Sequence, residues 1–314
     1  MKTICIYHSR DLDGWMSAAI VKRWYYYLEA TGEQGILKDK IDFLGWDYGD
    51  DIPDLSGYDG VIMCDISFPA ETMFKLFINT GLNLTYIDHH ISAINSIEER
   101  FGFPVKILPG LCDTKFSACE LTWEYFFPKE KMPEIVRLLG RYDCFGHKGT
   151  DEEQKVLEFQ YGARQCITNY EEAYEYLINS ITCDDDPVTL EHAIQMSGKS
   201  IYEYLKTEAQ SIYKKAFPIF FENEDLKGCP KFGTYNFLCV NQERFNPINF
   251  GIDYHKDDYD GFACFHYKDG KWRFSLYNDD GKVDCSKIAK RFGGGGHKGA
   301  AGFIVDDLDD VFKN

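Results

Sequence analysis

Three short apolar runs in the first 90 residues each pass directly into ionisable side chains. Ile4–Tyr7 leads into His8-Ser-Arg10-Asp11-Leu-Asp13-Gly14, Val61–Cys64 into Asp65, and Leu84–Ile87 into Asp88-His89-His90. Carboxylates packed together repel strongly unless a cation neutralises them. Asp, Asp, Asp and His converging without a matching basic cluster is what a divalent metal site requires. Asp11 and Asp13 stand two apart, so both can aim across one rim if the chain is still extended there, and Gly14 lets the backbone turn into a helix. Asp65, alone at the end of a middle strand, is placed to bridge two ions about 3.5–4 Å apart. Each piece has a plainer alternative: a lone Asp after a strand commonly caps a helix or turn, and a His pair is commonly a surface feature. Three such strand ends in one domain weigh against both.

The elements that position these groups follow from periodicity. Ile4–Tyr7, Ile41–Leu44, Val61–Cys64 and Leu84–Ile87 read as buried strands. Trp15–Leu28 has apolar residues at helical spacing, Thr72–Ile78 follows Pro69 as a helix with Pro in its first turn, and Phe116–Phe127 and Pro133–Arg141 are further helices. Strands alternating with helices predict βαβ units and a mainly parallel sheet. All carboxyl ends of a parallel sheet lie on one edge, where open α/β sheets bind ligands. From Asp151 to Phe221 the pattern is helical only, with Val188–Phe217 the longest candidate and Ile194, Met196, Ile201, Tyr204 and Leu205 its packing face. Pro218 and then Gly228-Cys-Pro230 end that segment. Strand-like runs return at Tyr235–Val240, Gly261–His266 and Trp272–Tyr277, followed by a helix over Cys285–Phe292 and an apolar strand at Phe303–Val305. The predicted fold is α/β: a mainly parallel-sheet domain over 1–150, a helical connector over 151–225 and a smaller α+β domain over 226–314. The acidic run Asp306-Asp307-Leu-Asp309-Asp310 reads as a solvated terminus.

Composition narrows the chemistry further. The chain has 314 residues and a formal charge of −17, with 44% hydrophobic and 27% charged residues, the balance of a soluble globular protein. At that charge there is no global attraction for a long polyanion, which argues against long duplex nucleic acid as a partner. A phosphorylated substrate is still reachable if a metal supplies positive charge locally. No run is apolar enough to span a bilayer, and the first residues do not read as a signal peptide. Eleven scattered cysteines with no Cys-x-x-Cys pair fit reduced, mostly buried thiols and a cytoplasmic location.

Near the end of the chain stands Gly293-Gly294-Gly295-Gly296-His297-Lys298-Gly299-Ala300-Ala301-Gly302. Consecutive glycines expose backbone N–H groups and allow positive φ, so the run can cradle an anion, with His297 and Lys298 as added donors. The alternative is a flexible linker, but here a helix precedes the run and an apolar strand follows it. The aromatic stretch Trp24-Tyr25-Tyr26-Tyr27 reads as packing. Arg10 and Arg141 either touch phosphate or pair with a local carboxylate.

Taken in order, His8-x-x-Asp11-x-Asp13-Gly14, Cys64-Asp65, Asp88-His89-His90, Arg141-Tyr142-Asp143 and the glycine run resemble the motifs of the DHH phosphoesterase superfamily and its C-terminal DHH-associated domain. Within it, the chain is most similar to oligoribonucleases (nanoRNases) and cyclic-nucleotide or dinucleotide phosphodiesterases. The resemblance implies two metal ions, usually manganese with magnesium possible, held by His8, Asp11, Asp13, Asp65, His89 and Asp143, with Asp65 as the bridge. It implies that Asp88 orients the site and that His90 contacts the scissile phosphate. An oxygen-rich set of this kind suits octahedral Mn²⁺ or Mg²⁺ rather than tetrahedral zinc. Substrate grip falls to Gly294, Gly295, Gly296, His297, Lys298 and Arg273. Many relatives carry an Arg in the strand corresponding to Phe274–Asn278, where this chain has Ser275-Leu276-Tyr277. Arg273 lies nearby on another register, and Tyr277 could stack on a base or serve as an ordinary core or surface aromatic.

The expected activity is a two-metal phosphodiesterase acting on short oligonucleotides or dinucleotides. The same scaffold also serves inorganic pyrophosphatases and RecJ-type single-strand exonucleases. A reading of another class is a nucleotide-binding regulatory protein without catalysis.

Overall fold

A computed structural model describes residues 2–31, 41–182, 190–222 and 234–312. Two compact units divide the chain, Met1–Tyr202 and Glu203–Asn314.

In the first unit, β1 (Thr3–His8), α1 (Leu12–Thr31), β2 (Ile41–Trp46), β3 (Gly60–Cys64), α2 (Ala70–Thr80), β4 (Leu84–Ile87) and α3 (Ile91–Phe101) follow one another. The four strands pair in the order β2-β1-β3-β4, all parallel. Alternation splits their side chains between two faces. Ile4, Ile6, Val61, Met63, Leu84 and Tyr86 pack with Met73 and Leu76 of α2 and Ile94 and Ile97 of α3. Cys5, Ile62, Cys64 and Ile87 pack on the opposite face with Val21 of α1 and Leu121 of α4 (Ala118–Phe126). Helices on both faces bury β1, β3 and β4, as parallel sheets require, and leave the edge strand β2 half-buried.

The helices α5 (Glu134–Asp143), α6 (Glu153–Cys166), α7 (Tyr170–Thr182) and α8 (Leu190–Tyr213) come next. The segment 151–225 is not a body of its own. Val156, Phe159, Ala173 and Leu177 share one core with Met16, Ile20, Trp123 and Leu139, so α6 and α7 belong to the first unit, and α8 runs across the division. The expected helix over Val188–Phe217 stops at Tyr213, because Phe217 and Pro218 open an antiparallel strand instead. Its expected packing face is also corrected: Ile194 is buried, but Met196 and Tyr204 face solvent, while Tyr202 and Ala209 are buried in their place. Gly228-Cys-Pro230 lies outside the described residues.

The second unit carries β5 (Phe217–Glu222), β6 (Thr234–Asn241), β7 (Gly261–Lys268), β8 (Lys271–Tyr277), α9 (Cys285–Arg291), β9 (Gly295–Gly296), β10 (Ala300–Val305) and α10 (Asp309–Phe312). These strands form a mixed sheet in the order β5-β6-β7-β8-β10-β9, parallel only between β6 and β7. Phe265, Phe274, Phe303 and Leu276 pack under α9, and Phe262, Cys264 and Val240 face Ala209, Phe245 and Tyr254. The four aspartates of the acidic run are exposed, as expected of a solvated segment, while Leu308 and Val311 beside them pack on the first of these cores. The nine described cysteines are free thiols. Among the described residues no helix is long and apolar enough to cross a membrane.

Candidate metal centre

The order β2-β1-β3-β4 places the ends of β1 and β3 side by side, where the chain switches direction across the sheet. A crevice opens at such a point in parallel sheets. His8 is the last residue of β1, Asp65 follows β3, and Asp88 follows β4, so all three stand on one edge.

Asp13 arrives differently from the extended geometry expected of it. The helix α1 begins at Leu12, which puts Asp13 in its first turn. Its carboxylate accepts hydrogen bonds from the amides of Ala118 (2.9 Å) and Cys119 (2.8 Å) at the start of α4. A helix N-terminus is a favourable partner for an anion, and it holds this one rigidly. The Ser117-x-x-Glu120 capping box that starts α4 is legible in the sequence, and it is the signal that would have found this support. Gly14 does not supply a left-handed turn; a Cβ there would lie 2.1 Å from the His8 carbonyl oxygen, so glycine is needed for close approach.

Six expected ligands gather on this edge. His8 Nδ1 lies 2.8 Å from Asp11 Oδ2 and 3.5 Å from Asp65 Oδ2. His89 Nε2 lies 3.3 Å from Asp65 Oδ1, 3.2 Å from Asp143 Oδ2 and 3.8 Å from Asp13 Oδ2. Ligand atoms fall within 4.8 Å of one another in three groups: His8, Asp11 and Asp65; Asp65, His89 and His90; and Asp13, His89 and Asp143. Asp65 and His89 each belong to two of them.

The electrostatics show what the cluster lacks. Asp65 is 1% exposed, and neither carboxylate oxygen has a hydrogen-bond partner among the described residues. Burial and then the charge of Asp13 push its carboxyl well above the usual range, and burial with the charges of Asp13 and Asp65 does the same to Asp143. Asp143 is also the last residue of α5, where the helix dipole disfavours a negative charge. Burial pulls the His8 imidazole down, but the carboxylates of Asp11 and Asp65 outweigh it and raise it to about 11. Buried, partnerless oxygens and carboxylates too close to ionise together are the signature of a cation site, and the oxygen-and-imidazole donors fit a hard divalent ion.

Asp88 does a different job. Its Oδ1 accepts from the amides of His89 (2.7 Å) and His90 (3.1 Å) and lies 2.8 Å from His90 Nδ1, while the Tyr86 hydroxyl donates to Oδ2 at 2.6 Å. Burial would lift the Asp88 carboxyl, yet the His90 imidazole holds it below the usual range. The same contact overcomes burial to raise His90. With Nδ1 committed, Nε2 is the ring nitrogen left to face outward.

One residue of this edge escaped the sequence reading. The strand β2 runs to Trp46 rather than Leu44, which brings Asp47 to the rim, 3.4 Å from His8 Nε2 and 2.7 Å from Arg10 Nε. The signal was an Asp one residue past a strand, as at the ends of β3 and β4. The Arg10 guanidinium is thereby paired with a local carboxylate.

In the second unit the glycine run is neither a linker nor a fully open nest. Gly293, at φ +75°, and Gly294 donate to Lys290 and Ala289 at the end of α9, and Gly295 and Gly296 pair with β10. Two of the expected free amides therefore serve as a helix cap. His297 and Lys298 are exposed, and neither side chain has a hydrogen bond or ion pair among the described residues. Arg273 contacts Asp269 at 3.5 Å. Tyr277 packs against the core formed by Phe262 and Cys264. Trp24, Tyr26 and Tyr27 pack against Phe126, Tyr174 and Phe127, as helix-surface aromatics do.

No protein-family profile matches the chain. An uncharacterised protein of Acanthamoeba polyphaga mimivirus is 26% identical over 322 residues, an alignment covering 97% of this chain and 68% of that protein. The oligoribonuclease NrnB of Bacillus subtilis is 23% identical over 275 residues, covering 81% of this chain and 61% of its own length. Among solved structures, a pGpG-specific phosphodiesterase from Vibrio cholerae superposes with a TM-score of 0.49 at 13% identity, over 99% of this chain and 95% of that one.

Proposed function

We propose, from the premise that the chain belongs to the DHH phosphoesterase superfamily, that it is a metal-dependent phosphodiesterase cleaving short oligonucleotides or dinucleotides, cyclic ones included, to mononucleotides. The observation that carries this reading is the buried Asp65 carboxylate, without hydrogen-bond partners among the described residues and shared between two groups of potential ligands.

His8, Asp11 and Asp65 would hold one divalent cation, and Asp13, His89 and Asp143, with Asp65 between, a second. When bound, Mn²⁺ or Mg²⁺ supplies a nucleophilic water at neutral pH and neutralises charge on the phosphoryl oxygens. The amides of Ala118 and Cys119 keep Asp13 in place without the cost of reorganising it. Asp88 and Tyr86 fix the His90 ring, so that Nε2 can donate to an oxygen of the scissile phosphate. Gly294, Gly295, Gly296, His297, Lys298 and Arg273 are assigned to substrate grip. A net charge of −17 favours a short substrate, because nothing global attracts a long polyanion. Free thiols fit a reducing, cytoplasmic setting.

The test is hydrolysis of a dinucleotide and a pentanucleotide RNA, a cyclic dinucleotide and pyrophosphate, each with Mn²⁺ and with chelator. Metal-dependent cleavage of the nucleotides is expected. Cleavage of pyrophosphate alone would make the protein a pyrophosphatase, and no turnover of any would make it a nucleotide-binding protein.

A further inference from the structure

A cleft of about 510 Å³ in the first unit lies next to the metal rim and is walled by Trp46, Tyr48, Ser67, Phe68, Ser92 and Ser96. The same loops build both. Trp46 and Tyr48 flank Asp47, Ser67 and Phe68 follow Asp65, and Ser92 stands two residues after His90. Burial and the charge of Asp88 raise the Tyr48 hydroxyl.

The walls are aromatic and rigid on one side. The Trp46 ring meets Phe68 edge-on at 5.0 Å and Tyr48 at 5.8 Å, and its Nε1 donates to the Asp51 carbonyl at 3.1 Å. Tyr48 is 55% exposed, a large aromatic surface left open at the cleft. On the other side Ser92 and Ser96 stand one turn apart on α3, and neither hydroxyl has a hydrogen bond among the described residues. Asp50 is the one charged residue of the lining. The lining carries no Lys or Arg to neutralise a second phosphate and its single charge is acidic, so it suits a flat, neutral group with hydrogen-bonding edges.

We infer that this cleft receives the nucleobase of the nucleotide flanking the scissile phosphate, stacked on Tyr48 with its edge toward the serines. The inference rests on the phosphodiesterase reading for its placement beside the phosphate. The occupant follows from size, aromatic walls and continuity with the rim. Pyrophosphate would leave the cleft unused.

Binding separates the two ideas. With Mn²⁺ present, adenosine 5′-monophosphate should bind the wild-type protein about tenfold more tightly than ribose 5-phosphate, the range of one base–aromatic stack. Tyr48→Ala, which removes the ring, and Ser96→Trp, which fills the cleft from an exposed helix position, should each reduce that preference to under about twofold, and Tyr48→Phe should keep it. Circular dichroism checks that each variant folds. Equal binding of the two ligands by the wild type, or a preference that survives both Tyr48→Ala and Ser96→Trp, overturns the inference. A dinucleotide and its abasic counterpart form the activity arm, where loss of the base should raise KM in the wild type and change it little in Tyr48→Ala. If the base preference holds but no phosphodiester is cleaved, the phosphodiesterase reading fails while the base pocket stands.

Discussion

His89 Nε2 lies 3.3 Å from Asp65 Oδ1, and Asp65 adopts a left-handed backbone conformation with φ +63°. A non-glycine residue in that region costs about 1–3 kcal/mol, and such strain collects at working sites. Here it turns a carboxylate at the end of β3 inward, between the imidazoles of His8 and His89.

Asp65→Asn keeps the shape of the side chain and removes its charge. Turnover should fall to background while the circular dichroism spectrum is unchanged. Activity near wild type would remove Asp65 as the shared ligand.

Mn²⁺ should stabilise the wild-type protein, because a ligand that binds only the folded state contributes about 2.7 kcal/mol at a hundred times its Kd. A thermal melt with Mn²⁺ and with EDTA reads the shift. In Asp65→Asn and Asp13→Asn most of that shift should disappear, and a shift as large as wild type would place the ion elsewhere.

Asp88→Asn leaves one oxygen where His89, His90 and Tyr86 now share two. Groups that orient ligands are worth about 10- to 100-fold in metal affinity or activity, so kcat should fall by that order. Tyr86→Phe should fall less, since the two amides and His90 still hold Oδ1. Equal losses in the two variants would show that the hydroxyl, not the amides, sets the geometry.

His297→Ala should raise KM more than it lowers kcat, since this exposed imidazole is assigned to substrate grip. A loss confined to kcat would move His297 to the chemical step.

A pH test is available away from the rim. Arg137, then Lys155, hold the Glu134 carboxyl down at about 2 against burial, through contacts of 2.7 Å each. A depressed carboxyl contributes stability that is complete above its unfolded value near 4.5 and is lost as pH falls through about 2. Arg137→Gln should therefore lower the melting temperature at pH 6 and have little effect at pH 2. The groups are partly exposed, so solvent screening limits the effect to below about 1 kcal/mol. A melting difference independent of pH would assign it to lost packing.

Much of the first unit was legible because its signals are local. Four apolar runs marked β1 to β4, and the ionisable residue after three of them needs no long-range information to be noticed. Less was legible where local and tertiary preferences compete. Phe217 continues a helical pattern in sequence that Pro218 ends, yet the pairing of the two with Cys239 and Leu238 makes both part of a strand. Met196 and Tyr204 look like packing residues by spacing, but the neighbours of α8 lie on its Ile194 and Tyr202 side. Asp47 was missed because two more residues of β2 pair with β1 than the apolar run shows.

The order of residue types along the chain by itself determined that carboxylates and imidazoles end consecutive parallel strands, and so that they share one edge. Only the tertiary structure decided how they are aimed: Asp13 against the amides of a helix more than a hundred residues away, Asp65 turned inward by a left-handed backbone, and Asp143 delivered from the end of α5. Strand periodicity is set by neighbours along the chain, whereas the direction of a buried carboxylate is set by whichever distant donors and charges surround it.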